Sequence, residues 1–305
     1  MELNIKRIKE SDYQKIFVLT DIHGRFDLFK KMIRKIKLKK KDLLLILGDS
    51  CDRGEYSFEL YNWYKKMIQK GYNIIHLMGN HENMLFKSKD DETYRLNWVY
   101  NGGNKTIKSF FKHQNKVKTI NEYWKNDKFY EEEWLFNFIE KMPHIAESEN
   151  YLFVHAGIDF SKSLENQEIK YLLWTRDDWY KKNNTAKTVY YGHTPQEDIT
   201  VENNCINLDA GCFFTNVLRC VELKEKKLFV LKNNNVKIEK FDIKRIKKKI
   251  TEERKKEYEK LIEDYKEYII DLENKTNKTK KDEQNLLEVK ENLKKLIGLK
   301  RILEK

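Results

Sequence analysis

Three stretches decide how this chain is read: IFVLTDIHG at residues 16–24, LLLILGDSCDRG at 43–54 and IIHLMGNHE at 74–82. Each starts as a short, continuously apolar run and ends in a polar turn holding Gly with Asp, Asn or His. Helical spacing follows the first (Phe26, Phe29, Met32, Ile33, Ile36) and the second (Phe58, Leu60, Tyr61, Tyr64, Ile68). Strand, polar loop and helix in repetition read as βαβ units, and continuously apolar strands suit a sheet covered on both faces. Working outward, residues 84–145 predict mostly helix, broken at Asn101-Gly102-Gly103. Strand patterns then resume at 151–154, ending in His155-Ala156-Gly157, and at 188–191, ending in Gly192-His193-Thr194-Pro195. A further strand at 205–208 ends in Asp209-Ala210-Gly211, and 217–223 with 227–231 predict a hairpin.

After residue 241 the pattern changes. Ile243, Ile246, Ile250, Tyr258, Leu261, Tyr265, Ile269 and Leu272 recur at near-helical spacing. A polar break at 274–281 precedes Leu286, Val289, Leu293, Leu296 and Leu303. This predicts a helical hairpin or coiled coil over 242–305, appended to a catalytic domain over 1–241.

Composition bounds the reading. The 305 residues carry a net charge of +12, 40% hydrophobic and 13% aromatic residues, which argues for a folded chain. No apolar run approaches the ~18 residues of a membrane span, and the charged N-terminus lacks a signal core. Four cysteines (51, 205, 212 and 220) with no C-x-x-C pair argue against a disulfide framework or a thiolate zinc site. These features point to the cytoplasm. The tail holds 20 basic and 15 acidic residues, interleaved as on a solvated face. Only residues 244–249 (KRIKKK) form a concentrated basic run, so nucleic acid is not favoured as a partner.

Five strand ends offer metal-ligand residues: Asp21 with His23, Asp49, Asn80, His155 and His193. In an open α/β sheet, ligands gather at the carboxyl ends of strands, so residues far apart in sequence converge. Singly, Gly79-Asn80-His81-Glu82 is the stronger signal, because His followed by Glu at a strand end has no packing motive. Most of the others are weak, since Asp and Gly cap turns and a lone His often belongs to a core. Jointly they are not: of 11 Gly, six lie in these five motifs, as do four of the 7 His. Mixed Asp, His and Asn donors suit Mn²⁺, Fe²⁺ or Zn²⁺. Six ligands exceed what one ion needs and suit a pair ~3.5–4 Å apart.

The motifs Asp21-Ile-His-Gly, Gly48-Asp-Ser-Cys-Asp-Arg-Gly, Gly79-Asn-His-Glu, His155-Ala-Gly and Gly192-His-Thr resemble, in order and spacing, the phosphoprotein phosphatases. That family lies within the calcineurin-like metallophosphoesterases, and the resemblance covers residues 14–232. The Asn101-Gly-Gly region and Trp174-Thr-Arg176 look most like the bacterial and lambda-phage branch. The resemblance implies a four-layer-type α/β sandwich, central β-sheets flanked by helices. It implies a first metal on Asp21, His23 and bridging Asp49, and a second on Asp49, Asn80, His155 and His193. It further implies that Arg53 and Arg176 clamp phosphate, that His81 is the general acid and that Asp52 orients it. A metal-bridging hydroxide would attack phosphorus in line, and the metals would be manganese first, Fe²⁺ or Zn²⁺ otherwise. Asp209-Ala-Gly stands where the family more usually has Asp-Thr-Gly, with no proposed ligand lost.

The expected function is thus a dinuclear-metal phosphomonoester hydrolase, with a phosphoprotein as substrate and serine/threonine-type specificity. Asp52 favours this, because family members that cleave diadenosine tetraphosphate commonly lack an acid there. A nucleotide, dinucleoside-polyphosphate or nucleic-acid-end phosphatase is the alternative, and a non-catalytic coiled-coil protein a third reading. Residues 242–305 would pack on the catalytic domain, self-associate or meet a protein partner. Cys51, inside the second motif, reads as a small buried filler ahead of a redox-sensitive thiolate.

Overall fold

The computed structural model describes residues 2–115, 117–125, 127–233, 235–275 and 279–303. Its strands are β1 (Ile5–Arg7), β2 (Ile16–Leu19), β3 (Leu43–Ile46), β4 (Asn73–His76), β5 (Ile145–Glu147) and β6 (Tyr151–Val154). Then come β7 (Thr188–Tyr191), β8 (Thr200–Glu202), β9 (Cys205–Asn207), β10 (Leu218–Glu222), β11 (Lys227–Lys232) and β12 (Asn235–Lys240). They form two six-stranded sheets, ordered β12-β11-β10-β2-β3-β4 and β1-β5-β6-β7-β9-β8, flanked by helices. This is the expected α/β architecture of paired central sheets.

The three opening stretches supply β2, β3 and β4, which pair in parallel in that order. Burial explains their unbroken apolar character. Phe17, Leu19, Leu44 and Ile46 enter one core with Leu28, Phe29, Met32 and Ile36 of the helix Phe26–Ile36. The intervening Ile16, Val18, Leu43 and Leu45 are buried as well. A separate core joins Leu152 and Val154 of β6 with Val189 and Tyr191 of β7. The hairpin of β10 and β11 forms as expected, with Leu218 opposite Leu231, and β10 runs antiparallel against β2.

Four strands have no counterpart in the sequence reading: β1, β5, β8 and β12. All are short or polar; β12 (NVKIEK) is exposed at most positions. β1, β8 and β12 lie at sheet edges, where one-sided burial and charged side chains hide the apolar pattern of a strand.

The chain divides into two compact units, Met1–Phe241 and Asp242–Lys305. Within the second, helices Ile243–Asn274 and Lys280–Leu303 run antiparallel, tied by Lys300–Glu259 (2.9 Å) and Lys290–Glu273 (2.6 Å). Ile262, Ile269 and Leu272 are buried there. Residues 276–278 of the expected polar break lie outside the described residues. Among the described residues, no helix is long and apolar enough to cross a membrane.

Candidate active site

The site grows from loops that leave strand ends. β2, β3, β6 and β7 deliver Asp21, Asp49, His155 and His193 within a few residues of their last paired position. β4 delivers Asn80 and His81 in the first turn of the helix Asn80–Lys87. The loops turn sharply. Asp21, His23, Asp49, Asp52, Arg53 and His193 all have positive φ, between 46° and 70°. Non-glycine residues in this region are strained by about 1–3 kcal/mol each and persist where the surroundings over-determine them.

Asp49 sits at the centre. One carboxylate oxygen, Oδ2, lies 3.6 Å from His23 Nε2 and 4.0 Å from His81 Nε2; the other, Oδ1, lies 3.5 Å from His155 Nε2. Two buried donor triads therefore share this residue, His23–Asp49–His81 and Asp49–His155–His193, each with donor atoms within 4.8 Å of one another. Asn80 Oδ1 is 2.9 Å from both His155 Nε2 and His193 Nδ1. Asp21 belongs to neither triad. Its Oδ2 accepts from the His193 backbone N–H at 3.1 Å and from the Thr20 hydroxyl.

Second contacts fix the imidazoles. His155 Nδ1 donates to the Leu47 carbonyl (2.8 Å) and His23 Nδ1 to the Cys51 carbonyl (2.9 Å). Burial pushes His155 down to about 4, and burial with the His81 and Arg53 charges holds His23 well below its usual range. Both rings are therefore neutral at pH 7, with Nε2 bare. The bare Nε2 of His155 faces the oxygens of Asn80 and Asp49, acceptor against acceptor. Burial and then neighbouring carboxylates raise Asp21 and Asp49 far above the normal acid range. Converging lone pairs and uncompensated buried carboxylates fit divalent cations, and the His, Asp and Asn donor set agrees.

Asp52 and His81 form a buried pair, Oδ2 to Nδ1 at 2.7 Å. Arg53 Nη2 lies 2.9 Å from His81 Nε2, and Nη1 lies 3.0 Å from His23 Nε2. Arg176 is exposed at the rim, its Nη1 donating to Thr194 Oγ1 at 3.1 Å.

Sequence reasoning gave no role to several supporting groups. Glu82 accepts from the backbone N–H of Asp49 (2.8 Å), Ser50 (2.7 Å) and Cys51 (3.3 Å), and from the Tyr61 hydroxyl (2.9 Å). It thereby pins the loop that carries Asp49 to Arg53. Its signal was present, as the last residue of Gly79-Asn-His-Glu. Trp98 and Thr106 grip Asp52, and nothing in their local sequence marks them. Cys51 is fully buried, and burial followed by the Asp52 charge pushes its thiol well up, so it fills the loop as a thiol.

Residues 14–238 match the calcineurin-like phosphoesterase family. The chain is 26% identical to the asymmetrical bis(5'-nucleosyl)-tetraphosphatase of Bacillus subtilis, over 66% of this chain and 87% of that protein. It is 23% identical to serine/threonine-protein phosphatase 1 of Salmonella typhimurium, over 72% of this chain and 96% of that protein. A solved protein serine/threonine phosphatase from Saccharomyces cerevisiae shares the fold, with a TM-score of 0.52 and 17% identity over 78% of this chain and 83% of that one. A family match across most of the chain, on a site whose buried donors suit divalent cations, leads to one conclusion: the chain belongs to the calcineurin-like phosphoesterase family and is a metal-dependent phosphatase.

Proposed function

We propose that the enzyme hydrolyses phosphomonoesters of proteins, with serine/threonine-type specificity. In this reading Asp21, His23 and Asp49 would hold one divalent cation, and Asp49, Asn80, His155 and His193 would hold a second, with manganese the first choice. When bound, such a pair supplies neutralising charge and an activated water. The chain's own groups do the rest. Arg53 and Arg176 present planar forks to the phosphoryl oxygens. With Arg53 turned from His81 Nε2 onto the phosphate, a His81 protonated at Nε2 donates that proton to the departing oxygen, and Asp52 holds its Nδ1–H so that the ring keeps the right orientation.

One observation carries the substrate choice: the 2.7 Å contact of Asp52 with His81. A serine or threonine alkoxide is a strongly basic leaving group and needs a proton as the P–O bond breaks. A nucleotide released from a phosphoanhydride leaves as a stable phosphate anion and needs none. A buried acid–imidazole pair therefore suits the monoester.

The second reading is hydrolysis of a dinucleoside polyphosphate, favoured by the relative from Bacillus subtilis. One assay separates the two. Mn²⁺-loaded enzyme is offered a phosphoserine peptide, a dinucleoside tetraphosphate and a 5'-phosphorylated oligonucleotide. The proposal expects the peptide to give the highest kcat/KM. A clear preference for the tetraphosphate would replace it with the second reading.

A further inference from the structure

Beside the site lies a groove of about 610 Å³, lined among others by Asn83, Lys87, Tyr94, Lys170 and Trp174. Three helices build it, Asn80–Lys87, Glu92–Trp98 and Ile169–Trp174, and the first and last also carry or lead into the site. Asn83 lies two residues after His81 on the helix Asn80–Lys87. Trp174 ends the helix Ile169–Trp174 two residues before Arg176, with its ring edge-on to His193 at 6.2 Å between centroids.

The groove is chemically one-sided. Among the described residues its lining contains no Asp or Glu, and neither Lys87 nor Lys170 meets a carboxylate. Lys87 Nζ donates to the Tyr94 hydroxyl at 3.1 Å and sits 4.6 Å from that ring's centroid, which leaves protons for another acceptor. Asn83 is only 4% exposed, lines the groove, and its Nδ2 has no hydrogen-bond partner among the described residues. A buried unpaired donor costs about 1–3 kcal/mol, so its natural complement is an acceptor brought by a ligand.

We propose that this groove receives the polypeptide flanking the phosphorylated residue and selects acidic side chains there. The inference rests on the phosphoprotein reading and deepens it. A peptide supplies backbone carbonyls for Asn83 and carboxylates for Lys87 and Lys170. Trp174, 37% exposed, offers apolar surface to the same strand. At Tyr94 one aromatic face is already covered by the Lys87 ammonium, which leaves Trp174 as the ring open to a bound strand. The proposed leaving group is itself the polypeptide, and the groove adjoins the helix turn that carries His81, the proposed proton donor.

The test compares three peptides that share one phosphoserine and differ only in acidic, neutral or basic flanks. Wild type and Lys170→Glu are assayed as metal-loaded full-length enzymes, with p-nitrophenyl phosphate as a substrate that has no flank. Wild type is expected to favour the acidic peptide over the neutral one about tenfold in kcat/KM at low salt, a margin that shrinks as salt screens it. Lys170→Glu should lose that margin and gain on the basic peptide, with kcat on p-nitrophenyl phosphate unchanged. Hydrolysis of all three peptides without flank preference, or a preference untouched by Lys170→Glu, overturns the groove assignment and leaves the phosphoprotein reading standing. Turnover of a dinucleoside tetraphosphate with no turnover of any peptide overturns both.

Discussion

Three donors converge on the Asp52 carboxylate: Trp98 Nε1 (2.9 Å to Oδ2), Thr106 Oγ1 (2.7 Å to Oδ1) and His81 Nδ1 (2.7 Å to Oδ2). The first two fix the carboxylate so that the third contact orients an imidazole. Replacing Asp52 by Asn keeps the shape and removes the charge that holds the Nδ1–H. Loss of such positioned acid catalysis costs about 10²–10⁴ in rate when the leaving group is basic. Asp52→Asn is therefore expected to lower kcat on a phosphoserine peptide by about a hundredfold or more, and to spare p-nitrophenyl phosphate, whose phenolate leaves unaided. Equal losses on both substrates would show that Asp52 serves the fold alone. Glu82 works similarly one layer further out, since its two oxygens hold three successive backbone N–H groups of the loop that delivers Asp49 and Arg53.

The segment between the helices Glu92–Trp98 and Asn104–Phe111 does the corresponding work at the scale of an element. Gly102 there has φ 105°, and its carbonyl accepts the Arg53 backbone N–H at 3.3 Å. A Cβ at this position would meet Arg53 N at 2.9 Å. Gly102→Ala thus adds backbone strain to a clash, a cost of about 1–3 kcal/mol. The neighbour must yield, and Arg53 carries the proposed phosphate clamp. The expected result is a lower urea midpoint and a KM raised several-fold with kcat changed less; an unchanged KM would detach this turn from phosphate binding. The Asn-Gly-Gly break was legible as a break, yet its contact with the Arg53 loop, some fifty residues earlier, was not. The same division runs through the fold. Strands β2, β3, β6 and β7 were legible because burial on both faces leaves unbroken apolar runs. β1, β8 and β12 were not, because edge strands carry the polar sequence that keeps them from pairing further. Site residues were legible where several rare residue types ended strands together. Trp98 and Thr106 were hidden because only the tertiary fold brings them to Asp52.

Across the whole molecule, charge in the metal-free site runs against stability. Asp21 and Asp49 are raised far above 3.8 by burial first and by neighbouring carboxylates next; Asp209, also buried, is raised to about 6. An acid whose folded pKa exceeds its unfolded one binds more protons in the folded state, so stability falls as pH rises from the unfolded value through the folded one. For Asp209 this window spans roughly pH 4 to 6, and Asp21 and Asp49 act in the same direction. The buried imidazoles act oppositely: His155, at about 4, makes the metal-free fold lose stability as pH falls below 6.5. As pH rises past 6.5 the unfolded imidazoles lose their protons too, and the thiols of Cys51, Cys212 and Cys220, pushed up by burial, join the carboxylates in lowering stability at higher pH. Bound cations would neutralise the carboxylates and compete with protons for both kinds of donor. Protein stripped with a chelator is therefore expected to melt below the Mn²⁺-loaded protein at pH 8. The gap between the two should narrow steadily towards pH 5, as protons displace the cations. Calorimetry of loaded and stripped protein from pH 5 to 8 measures both slopes. Equal melting temperatures for loaded and stripped protein across this range would mean that the buried carboxylates do not need cations to be held together.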